Sequence, residues 1–106
     1  MSVKKPKISV LIPVHNGADT LAETVASILN QTFADFELLL FDDASTDASP
    51  EIINSFADSR IRRFRSDANL GISEARNRLM ELAEGEYLEV MDHDDLSAPR
   101  RLEKQA

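Results

Sequence analysis

Ile8-Ser9-Val10-Leu11-Ile12-Pro13-Val14 is a short, mostly branched run that is apolar at both odd and even positions. It has no polar face to turn toward water, so it is predicted to be a strand covered on both sides, as in a parallel sheet. His15-Asn16-Gly17 breaks it. Outward from there the pattern changes period. Between Asp19 and Gln31 the residues Leu21, Val25, Ile28 and Leu29 fall on one helical face, and Thr20 with Glu23 has the spacing of a capping box.

A second buried strand is predicted over Phe36-Glu37-Leu38-Leu39-Leu40-Phe41, ending in the polar turn Asp42 to Asp47. Ser49-Pro50 then starts a helix whose apolar face is Ile52, Ile53 and Phe56. Ile61 to Phe64 is a weaker strand, because Arg62, Arg63 and Arg65 interrupt its alternation. After Asn69-Leu70-Gly71 a third helix is expected to carry Ile72, Ala75, Leu79, Leu82 and Ala83 inward and to be closed by Gly85. Tyr87 to Met91 is the fourth strand, running into Asp92-His93-Asp94-Asp95. Strands and helices in strict alternation predict an α/β fold: a mostly parallel, Rossmann-like sheet with helices on both faces. No internal repeat or low-complexity linker divides the chain.

Composition narrows the function. At 106 residues and 42% hydrophobic content there is room for one domain, residues 1–106, with 1–7 expected to be flexible. A formal net charge of -7 works against non-specific attraction to nucleic acid or an anionic membrane. The absence of cysteine excludes disulfides, zinc thiolate sites and thiol catalysis, and fits a reducing compartment. The basic start MSVKKPK precedes an apolar run interrupted by Ser9 and Pro13, which is neither a signal peptide nor a membrane span. The expected location is cytoplasmic, including the inner face of a membrane.

In a parallel sheet the residues that follow each strand gather along one edge, where open α/β sheets bind ligands. That edge should collect His15 and Asn16, then Asp42 and Asp43, then Asp92, Asp94 and Asp95. Asp and Asn also favour turns for purely local reasons, and any one cluster taken alone reads as an ordinary turn. Three clusters on one edge point to a site. Carboxylates packed as densely as Asp92-His93-Asp94-Asp95 raise one another's pKa or recruit a cation, and hard oxygen ligands suit Mg²⁺ or Mn²⁺. His93 reads as a spacer pointing away from its neighbours. Arg76 could pair with a diphosphate in a forked geometry or form a surface salt bridge with Glu74 or Glu81. Arg62, Arg63, Arg65 and Arg78 are read as solvated charge.

ISVLIPVHN at 8–16, SILNQTFADFELLLFDDAST at 27–46, NLGISEARN at 69–77 and EGEYLEVMDHDD at 84–95, followed by SAPRRLEKQ, resemble the family 2 glycosyltransferases of the GT-A fold. The likeness runs from Ile8 to about Lys104, and its specificity lies in the order and spacing of the pieces. The resemblance implies that the chain is the donor-binding, N-terminal part of an inverting, metal-dependent transferase. Pro13 and His15 would touch base and ribose, Asp43 would hydrogen-bond the base with Asp42 beside it, and Arg76 would approach the diphosphate. Asp94 would ligate the metal that bridges the diphosphate, Asp92 would sit near the ribose or sugar as the other member of the Asp-x-Asp pair, and Asp95 would support the loop. The expected cofactor is a divalent cation, Mn²⁺ or Mg²⁺. A nucleoside-diphosphate sugar, UDP first, is the expected donor, and an unknown carbohydrate or lipid-linked hydroxyl the acceptor, in the manner of polysaccharide biosynthesis. Nucleic acid is not expected as a partner, and the oligomeric state, a homo-oligomer included, is left open by the sequence.

Two departures stand out. Ala44 occupies a position where many members carry Gly, and the chain stops at Ala106 inside an expected helix, so it reads as truncated, with the catalytic base expected beyond Ala106. Competing readings are fewer. A sugar-phosphate nucleotidyltransferase would need a Gly-rich loop where His15-Asn16-Gly17-Ala18 has one glycine, and a receiver domain would need its paired acids after the first strand. A non-catalytic nucleotide-binding or interaction module is the remaining alternative.

Overall fold

The computed structural model describes residues 5–91. Seven elements alternate along it: β1 (Ile8–Val14), α1 (Leu21–Leu29), β2 (Phe36–Asp43), α2 (Ser49–Ser55), β3 (Ile61–Ser66), α3 (Ile72–Leu82) and β4 (Tyr87–Val90). All strand pairs are parallel, in the order β3-β2-β1-β4. The central pair β1 and β2 is buried at every position, which is why neither carries an alternating pattern. The arginines that weaken the pattern of β3 belong to a strand on the sheet's edge, where side chains reach water.

Strand pleat sorts the core into two layers. Val10, Ile12, Val14, Leu38 and Leu40 face α1 and α2, meeting Leu21, Val25, Ile28 and Ile53. Leu11, Leu39 and Phe41 face the other way, onto Ala75 and Leu79 of α3. The chain thus moves outward from β1 to β3 and returns across the opposite face to place β4 beside β1. The strand order reverses between β1 and β4, and in open α/β sheets ligands bind at the carboxyl ends of strands that flank such a reversal.

Three local expectations are corrected. Thr20 is the N-cap of α1 but makes no side-chain capping bond; the amides of Thr20 and Leu21 instead donate to the Gly17 carbonyl, so a turn replaces the box. Ile72 does not point into the core: at the first position of α3 it is 53% exposed, beyond the reach of the sheet. Gly85 does not close α3, which ends in an extended Ala83. A Cβ at Gly85 would stand 2.6 Å from the Ser9 backbone nitrogen, so the glycine is required by close approach to β1.

Close to that contact, at the amino end of the sheet, lies a buried polar cluster. Glu37 accepts from the Ser9 hydroxyl at 2.6 Å, the Glu84 amide at 2.8 Å and Arg62 at 3.0 Å, while the Gly85 amide donates to Ser9 Oγ at 2.8 Å. Arg62 also donates to the Leu82 carbonyl at 3.0 Å, so its guanidinium is structural rather than solvated. Arg63 likewise caps α2, donating to the carbonyls of Ile53 and Phe56. Lys7 is already tied to the sheet, its amide donating to Asp35 and its carbonyl accepting from Tyr87.

Candidate functional site

The pleat that sorts the core also selects the site. Odd-numbered positions of β1 and β2 face α3, so Pro13 and, just past the strand end, His15 arrive on the same side as Asp43. There they line a cavity of 280 Å³ together with Val14, Asn69, Gly71, Ile72 and Ala75. That is just below the roughly 300–1,000 Å³ of sites that enclose drug-sized ligands, so it can house a flat ring and part of what is attached to it.

Asp43, 3% exposed, is held by the turn before α3: its two carboxylate oxygens accept the Leu70 amide at 2.7 Å and the Gly71 amide at 3.0 Å. Gly71 is the N-cap of α3 and Leu70 lies just before it, so the carboxylate sits at a helix N-terminus, where negative charge is favoured. Gly71 has φ 88, a backbone conformation that suits glycine alone, and it shares its amide with Asn69 Oδ1 at 3.0 Å. Each Asp43 oxygen retains a second lone pair for a ligand donor.

The β1–α1 and β2–α2 loops are laced together by contacts that no local pattern announces. Asn16, at φ 53, donates its amide to Ser45 Oγ at 2.9 Å, and its Oδ1 accepts from the Thr46 amide at 2.8 Å, the Asp47 amide at 3.3 Å and the Thr46 hydroxyl at 3.3 Å. The Gly17 amide donates to Ser49 Oγ at 2.9 Å and the Ala18 amide to Asp47 Oδ2 at 3.1 Å. The Ser49 contacts, chiefly its side chain, and the Ala18 amide hold the Asp47 carboxyl below its usual range. Asn16, Ser45, Asp47 and Ser49 are thus the positioning residues that sequence reasoning missed as such. His15, exposed at the cavity mouth, sits on this frame with Nδ1 2.7 Å from the Asp43 carbonyl oxygen.

Asp42 goes elsewhere. As the even-numbered neighbour it faces the α2 side and lines a separate cavity of 150 Å³ with Pro50, Ile53, Asn54, Arg63, Phe64 and Arg65. Its Oδ1 accepts the Ser45 amide at 3.1 Å, and Arg65 Nε lies 3.9 Å from Oδ2. Arg76 follows Ala75 on α3 and is half-buried just past the cavity lining; Glu74, one of its two expected partners, instead pairs with Arg78 at 3.4 Å. Asp92, Asp94 and Asp95 lie outside the described residues, as does His93. The last described residue, Met91, is buried and donates its amide to the Leu11 carbonyl at 2.9 Å, so the chain leaves β4 on the edge that holds the cavity. Among the described residues no group of three or more His, Cys, Asp or Glu is placed to hold a metal ion.

The model of glycosyl transferase family 2 matches residues 9–106. The chain belongs to that family. A relative, the UDP-Glc:alpha-D-GlcNAc-diphosphoundecaprenol beta-1,3-glucosyltransferase WfaP of Escherichia coli, is 36% identical over 98 residues that cover 92% of this chain and 39% of that protein. The chain spans about 40% of the length of the curated relatives it matches. Among solved structures, S. aureus TarS 1-349 in complex with UDP-GlcNAc superposes with a TM-score of 0.88 at 28% identity, covering 93% of this chain and 30% of that one. The mannosyltransferase PcManGT from Pyrobaculum calidifontis, in complex with GDP-Man and Mn²⁺, gives 0.80 at 26% identity, covering 92% and 30%. The parallel four-stranded sheet is therefore that of a GT-A glycosyltransferase. Among the described residues of this family 2 chain no helix is long and apolar enough to cross a membrane.

Proposed function

We propose that this chain forms the donor-binding part of an inverting, metal-dependent glycosyltransferase, which passes a sugar from a nucleoside diphosphate, UDP first, to the hydroxyl of a carbohydrate or lipid-linked acceptor. The observation that carries this reading is the Asp43 carboxylate, pinned by two helix-start amides at the wall of a cavity sized for a base. A buried acceptor with a spare lone pair suits the imino N–H of uracil or thymine, and a site built to hydrogen-bond such a group discriminates strongly against rings that lack it. Support comes from the relatives: WfaP is named for UDP-Glc and a diphosphoundecaprenol acceptor, and TarS is seen with UDP-GlcNAc.

Asp92 and Asp94 would hold the divalent cation, with Arg76 nearby for the diphosphate. Their donor set fits: carboxylate oxygens suit Mn²⁺ and Mg²⁺, and Met91, the residue before them, is hydrogen-bonded to Leu11 on the sheet edge that holds the cavity. PcManGT, seen with Mn²⁺, is in keeping with it. When bound, such a cation supplies charge neutralisation on the departing nucleoside diphosphate. Direct attack at the anomeric carbon also requires a carboxylate base, a role that none of the described residues is assigned. Action in the cytoplasm, at the inner face of a membrane, goes with a lipid-linked acceptor.

The test is isothermal titration of the chain with UDP, with and without Mn²⁺, repeated on Asp94→Ala. Binding that strengthens with Mn²⁺ and loses that gain in the variant is expected. A folded chain that binds none of UDP, GDP and dTDP under either condition overturns the donor-binding reading. Nucleotide-independent self-association would then favour an interaction module, for which the exposed strand β4 speaks.

A further inference from the structure

The chain has one Asn-Gly pair, Asn16-Gly17, and it follows His15 at the mouth of the cavity. Glycine has no side chain to shield its backbone nitrogen, so in an unstructured chain that nitrogen readily attacks the carboxamide carbon of a preceding asparagine. The Gly17 nitrogen bonds to Asn16 Cγ, the Cγ–Nδ2 bond breaks, and the departing amino group leaves as ammonia with the Gly17 amide proton. Water then opens the cyclic imide at either carbonyl, giving Asp or isoAsp at position 16 and returning a proton to the Gly17 nitrogen. One water is consumed and one ammonia released, with no change of oxidation state.

The fold holds both reacting groups. Gly17 is buried and its amide donates at 2.9 Å to Ser49 Oγ, which belongs to a residue with no exposed surface. The Gly17 carbonyl is held too, by the Thr20 amide at 3.1 Å and the Leu21 amide at 2.9 Å. The Asn16 carboxamide, although exposed, is kept from rotating by the three bonds that Oδ1 accepts from Thr46 and Asp47. Cyclisation strips the proton from the Gly17 nitrogen, so it cannot proceed with the Ser49 bond intact; the two loops must first part. We propose that Asn16-Gly17 is a spontaneous deamidation site that the native loop contacts keep closed, with Ser49 as its guard. Modification there alters the cavity mouth. It puts a carboxylate oxygen where Nδ2 now lies 3.5 Å from His15 Nε2, and the isoAsp product adds a carbon to the backbone between β1 and α1. The inference does not depend on the nucleotide reading.

The experiment incubates the chain at mildly alkaline pH, native and in denaturant, and follows position 16 by peptide mapping, which reads the mass gained when –NH₂ becomes –OH and separates the Asp and isoAsp products. With the Gly17 bond and the Oδ1 bonds all to be broken, the native chain is expected to react more slowly than the denatured one by at least about tenfold. Ser49→Ala, shown by circular dichroism to be folded, loses one of those bonds and should react roughly 2- to 10-fold faster than the native wild type. A native chain that reacts as fast as the denatured one, or faster, overturns the proposal, as does a folded Ser49→Ala chain that reacts no faster than the wild type. Should Ser49→Ala fail to fold, hydrogen exchange at the Gly17 amide of the wild type decides: slowed exchange supports the guard, and exchange at the rate of the denatured chain overturns it.

Discussion

Two residues with the same backbone angle make opposite predictions. Asn16 and Ala44 have φ 53 and φ 55, a region that costs an L-residue roughly 1–2 kcal/mol. Ala44 gets nothing in return from its methyl group, so Ala44→Gly relieves that cost, less the roughly 0.5–1 kcal/mol of extra chain entropy that glycine loses on folding. Urea denaturation should show a gain of up to about 1 kcal/mol. Asn16→Gly would relieve the same angle but remove the oxygen that accepts from Thr46 and Asp47, and it is expected to lower stability by about 1–2 kcal/mol. Asp43→Asn replaces one of two acceptor oxygens with a donor that meets an N–H head-on. A loss of about 1–3 kcal/mol, again by denaturation, together with a loss of nucleotide binding, is the expected outcome.

At the scale of elements, the fold was legible wherever the signal was local. The apolar runs of β1 and β2, the Ser49-Pro50 start of α2 and the spacing of Ala75 and Leu79 in α3 all appear where periodicity places them. What stayed hidden was partnership across the chain: Ser9 lies 28 residues from Glu37, and Gly85 lies 76 from Ser9. Within the site, the gathering of His15 and Asp43 was legible, but the separation of Asp42 from Asp43 follows from strand pleat rather than from the adjacency of the pair. The hidden cluster has a pH signature. Burial pushes the Glu37 carboxyl up, but the Ser9 hydroxyl, the Glu84 amide and Arg62 together hold it below its ordinary value of 4.5. A carboxyl depressed in the folded state contributes stability that is fully present above its unfolded pKa and lost as pH falls through the folded one. Melting temperature should therefore drop as pH is lowered below 4.5, and Glu37→Gln should flatten that part of the profile while lowering stability at neutral pH. Gly85→Ala tests the same junction by steric means. Its added Cβ meets backbone at 2.6 Å, and a cost of about 1–3 kcal/mol is expected in chemical denaturation.

For the molecule as a whole, the two edges of the sheet are finished differently. Along β3 the side chains of Arg62, Arg63 and Arg65, with Arg60 just before them, put charge on the open edge, and Arg60 is itself locked to Asp58 at 2.7 Å. Charged side chains on an edge strand discourage pairing with another chain. Among the described residues strand β4 is more lightly guarded, with Glu89 its one charged residue: Tyr87, Leu88 and Val90 are 49%, 45% and 38% exposed, and Met80 of α3 is exposed as well. At its start Lys7 reaches Glu86 at 3.1 Å and lies over the Tyr87 ring. Among the described residues no strand pairs with the outer edge of β4, and such an edge beside exposed apolar side chains favours contact between copies, while the net charge of -7 opposes it through mutual repulsion. Raising the salt concentration screens the repulsion, whose reach is only about 10 Å at 0.1 M, and leaves the apolar contact intact. Self-association of the chain should thus increase with salt in sedimentation velocity, the reverse of what an ion-paired interface would do. Leu88→Lys adds charge to the β4 edge and should restore the monomer at every salt concentration. If Leu88→Lys leaves the sedimentation profile unchanged, the β4 edge is not where copies meet.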